Sequence, residues 1–509
     1  MSMPLASSAL YTAAQVREID RKAIASGTSG IVLMRRAAEA AWQAAQQKYA
    51  SLQSIVVLCG AGNNGGDGYL FARAARAAGK RVEVFAFAES KGDAATARQA
   101  LLGDGVHIRN AAEDLEALPH CLAGADLVVD ALLGTGLAGA PRPAYADVIE
   151  KVNQLQTPVL ALDIPSGICA DSGRLLGEQA VAAQLTVTFI AYKRGLFTDA
   201  ATEHVGELVF ASLGVTSHSP PDAEPVLLCN QAQLLSQLPQ KRANHYKNRS
   251  GHVLVVGGDY GMAGAVILAG RAALRCGSGL VTLATRPEHV SAVVAAQPEL
   301  MAHGIEKTAQ LDALLARADV VVIGPGLGQS AWSRQLLERA AQSAVKAVVD
   351  ADALNLVSAE PKLMPVAEAL LTPHPGEARR LAIGLGVDTS LDRFSLAQAL
   401  RDKSKKNVLL KGAGTIVAAQ DQTRLCQYGH PVLATAGSGD VLSGIVAALM
   451  AQGMSSGDSA ALAACLHGHA GEYWASENGA YGMLAGDIIA AVVARMNGAG
   501  INAAKMNGV

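Results

Sequence analysis

Asp440 closes the stretch Thr435-Ala-Gly-Ser-Gly-Asp440 and stands directly ahead of the apolar run Val441-Leu-Ser-Gly-Ile-Val-Ala-Ala-Leu-Met450. Small residues let a backbone approach a bound group closely, and a run of that length and composition reads as a buried helix. The amides of residues 436–440 then point out of the helix N-terminus, where unpaired donors and the dipole both favour an anion. A carboxylate is a poor ligand for phosphate, because like charges repel. It suits a base that takes a proton from a hydroxyl attacking the phosphate. A glycine-rich turn with Asp440 as an ordinary N-cap accounts for the same residues, and this stretch alone favours neither reading.

A second concentration of chemistry lies in the first half. Asn63, Asn64, Gly65, Gly66 and Asp67 sit within a glycine-rich loop over 60–68, between a strand expected over 55–59 and a helix through Arg76. A strand, a glycine loop and a helix are what phosphate binding at a helix N-terminus requires, yet this is neither a G-x-G-x-x-G signature nor a Walker loop. The asparagine and aspartate oxygens suit a hard cation or a ribose. Two more strands end similarly. One over 126–133 carries Asp130 and runs into Gly134, Thr135, Gly136, Leu137, Ala138, Gly139 and Ala140; another, from Pro158, ends in Asp163-Ile-Pro-Ser166. In an open parallel sheet these loops share one crevice, which would gather Asn64, Asp130, Asp163 and Ser166. Loop capping is the competing account of the two aspartates, but their common place at a C-terminal sheet edge favours a site.

Such loops need a scaffold. A chain of 509 residues predicts two domains, and its composition (half apolar, 52 glycines, 4% aromatic) suits α/β layers with buried parallel strands. Thr12-Ala-Ala-Gln15 reads as a capping box opening a helix with Val16, Ile19 and Ala23 on one side, and a second helix is expected over 31–49. Strands over 81–87, 186–190 and 207–211 complete the first sheet. Residues 217–225, rich in Pro and Ser, read as a linker, and 241–249 as a basic, polar lead into a new first strand at 251–258. An apolar helix following Gly261-Met-Ala-Gly-Ala265 and strands over 280–284, 320–323, 346–349, 408–411 and 415–418 continue the alternation.

The loops of this half carry Gly324-Pro-Gly-Leu-Gly328, Asp350-Ala-Asp352, Thr372-Pro-His-Pro-Gly-Glu377 and Lys411-Gly-Ala-Gly-Thr415. A glycine loop with a lysine and a threonine offers amides and a cation to a nucleotide's phosphates. His374, between two prolines, is stiff enough for an orienting contact, although a lone loop histidine is more often a surface residue. His467 and His469 read as structural. The net charge of −2, without a basic stripe, argues against nucleic acid and anionic membrane as partners. Seven scattered cysteines read as small buried residues of a reducing compartment rather than a disulfide frame or zinc site. Without a signal peptide at the start or an apolar run of the ~20 residues a bilayer needs, a cytoplasmic protein is expected.

Taken jointly, the motifs have a known counterpart. Asn63-Asn-Gly-Gly-Asp67, Asp130-Ala-Leu-Leu-Gly-Thr-Gly136 and Asp163-Ile-Pro-Ser166 resemble the NAD(P)H-hydrate epimerase domain. Gly324-Pro-Gly-Leu-Gly328, Thr372-Pro-His-Pro-Gly-Glu377, Lys411-Gly-Ala-Gly-Thr415 and Gly437-Ser-Gly-Asp440 resemble NAD(P)H-hydrate dehydratases of the ribokinase-like superfamily. The resemblance implies a Rossmann-like three-layer αβα domain over 1–220 and a ribokinase-like α/β domain over 226–509. It implies substrates hydrated at C6 of the reduced nicotinamide ring, NADHX and NADPHX. The first domain would interconvert R and S epimers; the second would dehydrate the S form while ADP becomes AMP and phosphate.

By motif, Asn64, Asp130 and Ser166 would hold K+, and Asp163 would contact the hydrate and carry proton transfer. Asn63, Asn64, Gly65, Gly66, Asp67 and the seven residues from Gly134 to Ala140 would line that pocket. In the second domain Ala265, Gly326, His374 and the base Asp440 would contact the hydrate. Lys411, Gly412, Ala413, Gly414, Thr415 and Gly439 would hold the adenylate, with Mg2+ accompanying ADP. A homo-oligomer with small-molecule partners is expected. The rival expectation is a ribokinase-like small-molecule kinase fused to a non-catalytic nucleotide-binding domain.

Overall fold

Every residue of Ser54–Cys59 is buried, which marks a strand covered by helices on both faces. In the computed structural model, which describes residues 9–114, 116–215, 224–239 and 246–498, the chain divides between Val226 and Leu227 into two units. Most of the expected linker (217–223) and the start of the basic stretch (241–245) lie outside the described residues.

The first unit contains β1 (Ala9–Tyr11), β2 (Ser54–Cys59), β3 (Arg81–Ala86), β4 (Ile108–Asn110), β5 (Leu127–Ala131), β6 (Val159–Leu162), β7 (Leu185–Phe189), β8 (Tyr192–Lys193) and β9 (Glu207–Ala211). Seven form a sheet in the order β4-β3-β2-β5-β6-β7-β9, parallel throughout; β1 pairs with β8. Alternate residues of β2 face opposite layers. Ile55, Val57 and Cys59 meet the helices Gly30–Lys48 and Asn63–Ala77, where Trp42 stands edge-on to Phe71 at 5.6 Å. Val56 and Leu58 face Phe85, Tyr145 and Ile149. The strand order reverses at β2 and β5, and an open parallel sheet offers its crevice outside the C-terminal ends of such a pair. The Thr12 capping box forms as expected, Gln15 N lying 3.2 Å from Thr12 Oγ1 and Thr12 N 2.8 Å from Gln15 Oε1.

One boundary differs from expectation in a way that matters. The loop after β2 ends at Gly62, and Asn63 already begins the helix Asn63–Ala77. Asn and Gly are poor helix formers, so packing decides it. A Cβ on Gly68 would come within 2.6 Å of Ala131 Cβ and 2.9 Å of Cys59 Sγ. Gly68 lets the helix lie against the sheet, while Gly65 fits against the Gly60 backbone and Gly66 against Met34 and Ala94.

The second unit contains β10 (Val226–Leu228), β11 (His252–Val256), β12 (Leu280–Thr285), β13 (Met301–Gly304), β14 (Val320–Ile323), β15 (Lys346–Val349), β16 (Ala369–Leu371), β17 (Asn407–Leu410), β18 (Thr415–Ala418) and β19 (Thr423–Cys426). Their order is β13-β12-β11-β14-β15-β16-β17-β18-β19-β10. From β13 to β17 neighbours run parallel, whereas β18 is antiparallel to both of its neighbours. Residues 411–414 are therefore a hairpin turn between β17 and β18, with Gly412 and Gly414 at positive φ. The helix Ser438–Ala451 is buried along nearly its whole length. The strands β10, β13, β16 and β19 add to those expected from the sequence.

Candidate active sites

In the first unit the loops after β2, β5 and β6 meet. Asp130, the penultimate residue of β5, is fully buried and accepts from Ser166 N at 2.8 Å, Ser166 Oγ at 2.6 Å and Leu132 N at 3.2 Å. Burial pushes its carboxyl up to about 6, and the bonds from Ser166 and Leu132 hold it from rising further. Asn64 donates Nδ2 to Leu133 O at 3.1 Å, while its Oδ1 is buried with no partner. A buried acceptor without a donor is costly and asks for a ligand. One carboxylate, one amide oxygen and one hydroxyl make an all-oxygen set fit for a weakly hydrated cation. No trio of His, Cys, Asp or Glu suited to a metal occurs among the described residues.

Asp163 follows β6 with φ +67°, a left-handed conformation that is strained for a side-chain-bearing residue and recurs at functional sites. Its Oδ1 accepts from Phe189 N at 3.1 Å, Thr188 Oγ1 at 3.4 Å and the ammonium of Lys193. Lys193 is 1% exposed and also donates to Thr188 Oγ1 at 3.0 Å and Phe189 O at 2.8 Å, so three acceptors hold its three protons. Asp67 lies near this pair. Burial drives its carboxyl well above the usual range, the Asp163 charge adds to the rise, and Lys193 opposes it. Burial and the same charge raise Asp20. A carboxyl raised by burial beside an ion-paired one is the arrangement acid–base chemistry uses. Nothing local in sequence marked Lys193; its role depends on a neighbour thirty residues away.

In the second unit five loops and one helix end converge. Gly258 N and Asp259 N bond the carbonyls of Pro325 and Gly326 at 3.0 and 2.6 Å. A Cβ on Gly326 would sit 3.1 Å from Ala265 Cβ, so these two expected contacts lie side by side. Lys411 N donates to Pro373 O at 2.9 Å, which sets the hairpin turn beside His374. That histidine caps the helix Pro375–Leu385 by accepting from Gly376 N through Nδ1 at 3.0 Å, so Nε2 carries the proton, and it lies 3.5 Å from Glu377 Oε1. The turn is braced by Arg393, whose guanidinium donates to the carbonyls of Lys411, at 3.2 Å, and Ala413.

Asp440 stands in the first turn of the Ser438–Ala451 helix, after Gly437 at φ +84°. Ser438 N closes a turn on Thr435 O at 3.2 Å, so the open amides are fewer than the full run 436–440 expected. Lys411, expected as a cation for phosphates, pairs with Asp350 at 2.7 Å, and Ser443 Oγ donates to the other Asp350 oxygen at 2.6 Å. The ammonium nevertheless lies 3.4 Å from where a Gly439 Cβ would be, against the open helix end. Burial and the Asp350 charge push the Asp440 carboxyl up to about 7, Lys411 opposing and Asp352 adding. Such a carboxyl is poised to exchange protons near neutrality. Asp352 is otherwise engaged with Gly328 N at 2.8 Å. In sequence Asp350 and Asp352 are only loop residues and His467 only a helix residue; the fold brings Asp350 to Lys411 and His467 to Ser438.

Residues 30–195 match a family model described as YjeF-related protein N-terminus, and residues 253–493 one described as NAD(P)H-hydrate dehydratase. A bifunctional NAD(P)H-hydrate repair enzyme from Coxiella burnetii is 43% identical over 487 residues, covering 94% of this chain and 97% of that one. A protein of the same description from Escherichia coli is 41% identical over 463 residues, covering 90% and 87%. A ribokinase-like superfamily protein from Enterococcus faecalis, solved by crystallography, is 29% identical at a TM-score of 0.49, covering 53% of this chain and 94% of its own.

Proposed function

The chain belongs to the bifunctional NAD(P)H-hydrate repair enzymes, and from that premise we propose that it restores NADH and NADPH whose nicotinamide ring has taken up water. It epimerises the R and S hydrates and dehydrates the S form while ADP becomes AMP and phosphate. The observation that carries this reading is end-to-end similarity to repair enzymes across both halves of the chain, which leaves a kinase fused to an inert module unfavoured. We assign epimerisation to the first unit and dehydration to the second.

C6 of the hydrate bears both a hydroxyl and the ring nitrogen. Protonating that hydroxyl lets it leave as water, and water returning to the opposite face gives the other epimer. Asp163, held by Lys193, would carry the proton, with Asp67, its carboxyl raised by burial, beside it as a second acid. Asn64, Asp130 and Ser166 would hold K+, whose charge would favour the ionised form of Asp130 and fill the open valence of Asn64 Oδ1.

In the second unit the leaving-group problem is solved by phosphorylation. Asp440 takes the C6 hydroxyl proton, the oxygen bonds the β-phosphorus of ADP, and the bond to AMP breaks. The C6–O bond then breaks with phosphate leaving, and loss of a C5 proton to the departing phosphate restores the ring double bond. The open helix amides and Lys411 stabilise the phosphoryl charge in flight. Ala265, Gly326 and His374 would orient the hydrate, and residues 411–415 with Gly439 the adenylate. Mg2+ would accompany ADP and neutralise phosphate charge; Asp350 already has both oxygens engaged, so the ion's ligands would come mainly from phosphates and water. Seven free thiols suit a reducing cytoplasm, although Cys121 and Cys169 are only half-buried.

The test is acid-made NADH hydrate with ADP, following the reduced-nicotinamide absorbance. Its return with AMP and phosphate as products is expected. A stable phosphorylated small molecule with no NADH formed would overturn the reading in favour of a kinase.

A further inference from the structure

Two atoms of Ser438 share one nitrogen. His467 Nε2 lies 3.0 Å from Ser438 Oγ and 3.1 Å from Ser438 O. A carbonyl only accepts, so Nε2 carries the proton. A protonated ring nitrogen has no in-plane lone pair to offer, so the Ser438 hydroxyl cannot donate to it. The hydroxyl accepts a share of the imidazole proton and keeps its own for another acceptor.

Its position says which acceptor. Ser438 is 7% exposed and begins the helix whose next residues are Gly439 and Asp440. Its amide is already engaged with Thr435 O, so the hydroxyl is the donor this residue has left to offer the anion. We propose that Ser438 is a further catalytic residue of the dehydratase site, its hydroxyl proton directed by His467 onto a non-bridging oxygen of the phosphoryl group in transfer. The inference rests on the repair-enzyme reading and adds a residue to it. The Ser438 O–H bond stays intact throughout; Asp440 alone takes the substrate proton. His467 is a positioning residue. Burial pushes its imidazole down to about 4, the Lys411 charge reinforcing the drop and the Ser438 carbonyl opposing it, so it stays neutral across the working pH range.

The experiment uses the full chain with NADH hydrate and ADP. Loss of one donor to a developing oxyanion costs ~10²–10³-fold in kcat, so Ser438→Ala should fall by that much while the ADP-induced thermal shift persists. Ser438→Thr, which keeps the hydroxyl, should retain most of the rate. His467→Ala should lower kcat, and His467→Gln, whose amide can donate to the same carbonyl, should recover much of it. Wild-type kcat in Ser438→Ala would overturn the proposal, as would equal damage from Ala and Thr. Failure of the wild-type protein itself to return NADH would instead overturn the functional reading beneath it.

Discussion

Replacing Asp440 by asparagine should sharply slow dehydration and at the same time stabilise the second unit above neutral pH. The carboxyl is raised from 3.8 to about 7 by burial and by Asp350. At roughly 1.4 kcal/mol per pH unit, ionising it in the fold costs up to ~4 kcal/mol. The side chain keeps some contact with solvent, which reduces this to ~1–2 kcal/mol. Between about pH 4 and 7 the folded chain holds a proton that the unfolded chain has released, so stability falls as pH rises through that interval and the penalty is complete above it. Asparagine removes the penalty. For a unit of this size, 1–2 kcal/mol corresponds to a melting shift of roughly 2–8 °C. Scanning calorimetry at pH 8.5 should show that gain in the transition which moves with added ADP, shrinking steadily toward pH 4. Turnover should drop ~10²–10⁴-fold, the usual worth of a positioned base. Undiminished turnover would refute the role of Asp440 as base, and a lower melting temperature at pH 8.5 would show its charge to be stabilised in the fold.

In the wild type kcat/KM should fall about tenfold per pH unit below about 7. Asp350→Asn should move that limb to lower pH by removing a negative neighbour and releasing Lys411; a limb moved upward would contradict the assigned charges. Asp163→Asn, which tolerates the left-handed backbone, should restore S hydrate at the wild-type rate and leave R hydrate to a slow tail, because distant sites act independently. A single rapid phase would remove Asp163 from the mechanism. Epimerisation should require potassium over sodium or lithium, and full activity in sodium alone would mean that Asn64, Asp130 and Ser166 serve another ligand.

What the chain announces by itself is whatever short-range physics decides. Strands buried on both faces read as unbroken apolar runs, as over 55–59 and 320–323, and the Thr12 cap follows from residues three apart. Motif order carried the family. The tertiary structure decided what depends on neighbours far along the chain. Asn63–Ala77 becomes helix from its first residue because its glycines fit close neighbours, Gly68 against Ala131 and Cys59, Gly65 against Gly60 and Gly66 against Met34 and Ala94, against their own propensity. Residues 411–414 become a hairpin turn because β18 pairs antiparallel with β17, a choice made by the sheet. Lys193 acquires meaning only beside Asp163, Asp350 only between Lys411 and Ser443, and His467 only against Ser438. A charge or a hydrogen bond acts over a few ångströms of space, and no local pattern records which distant residue the fold brings within that reach.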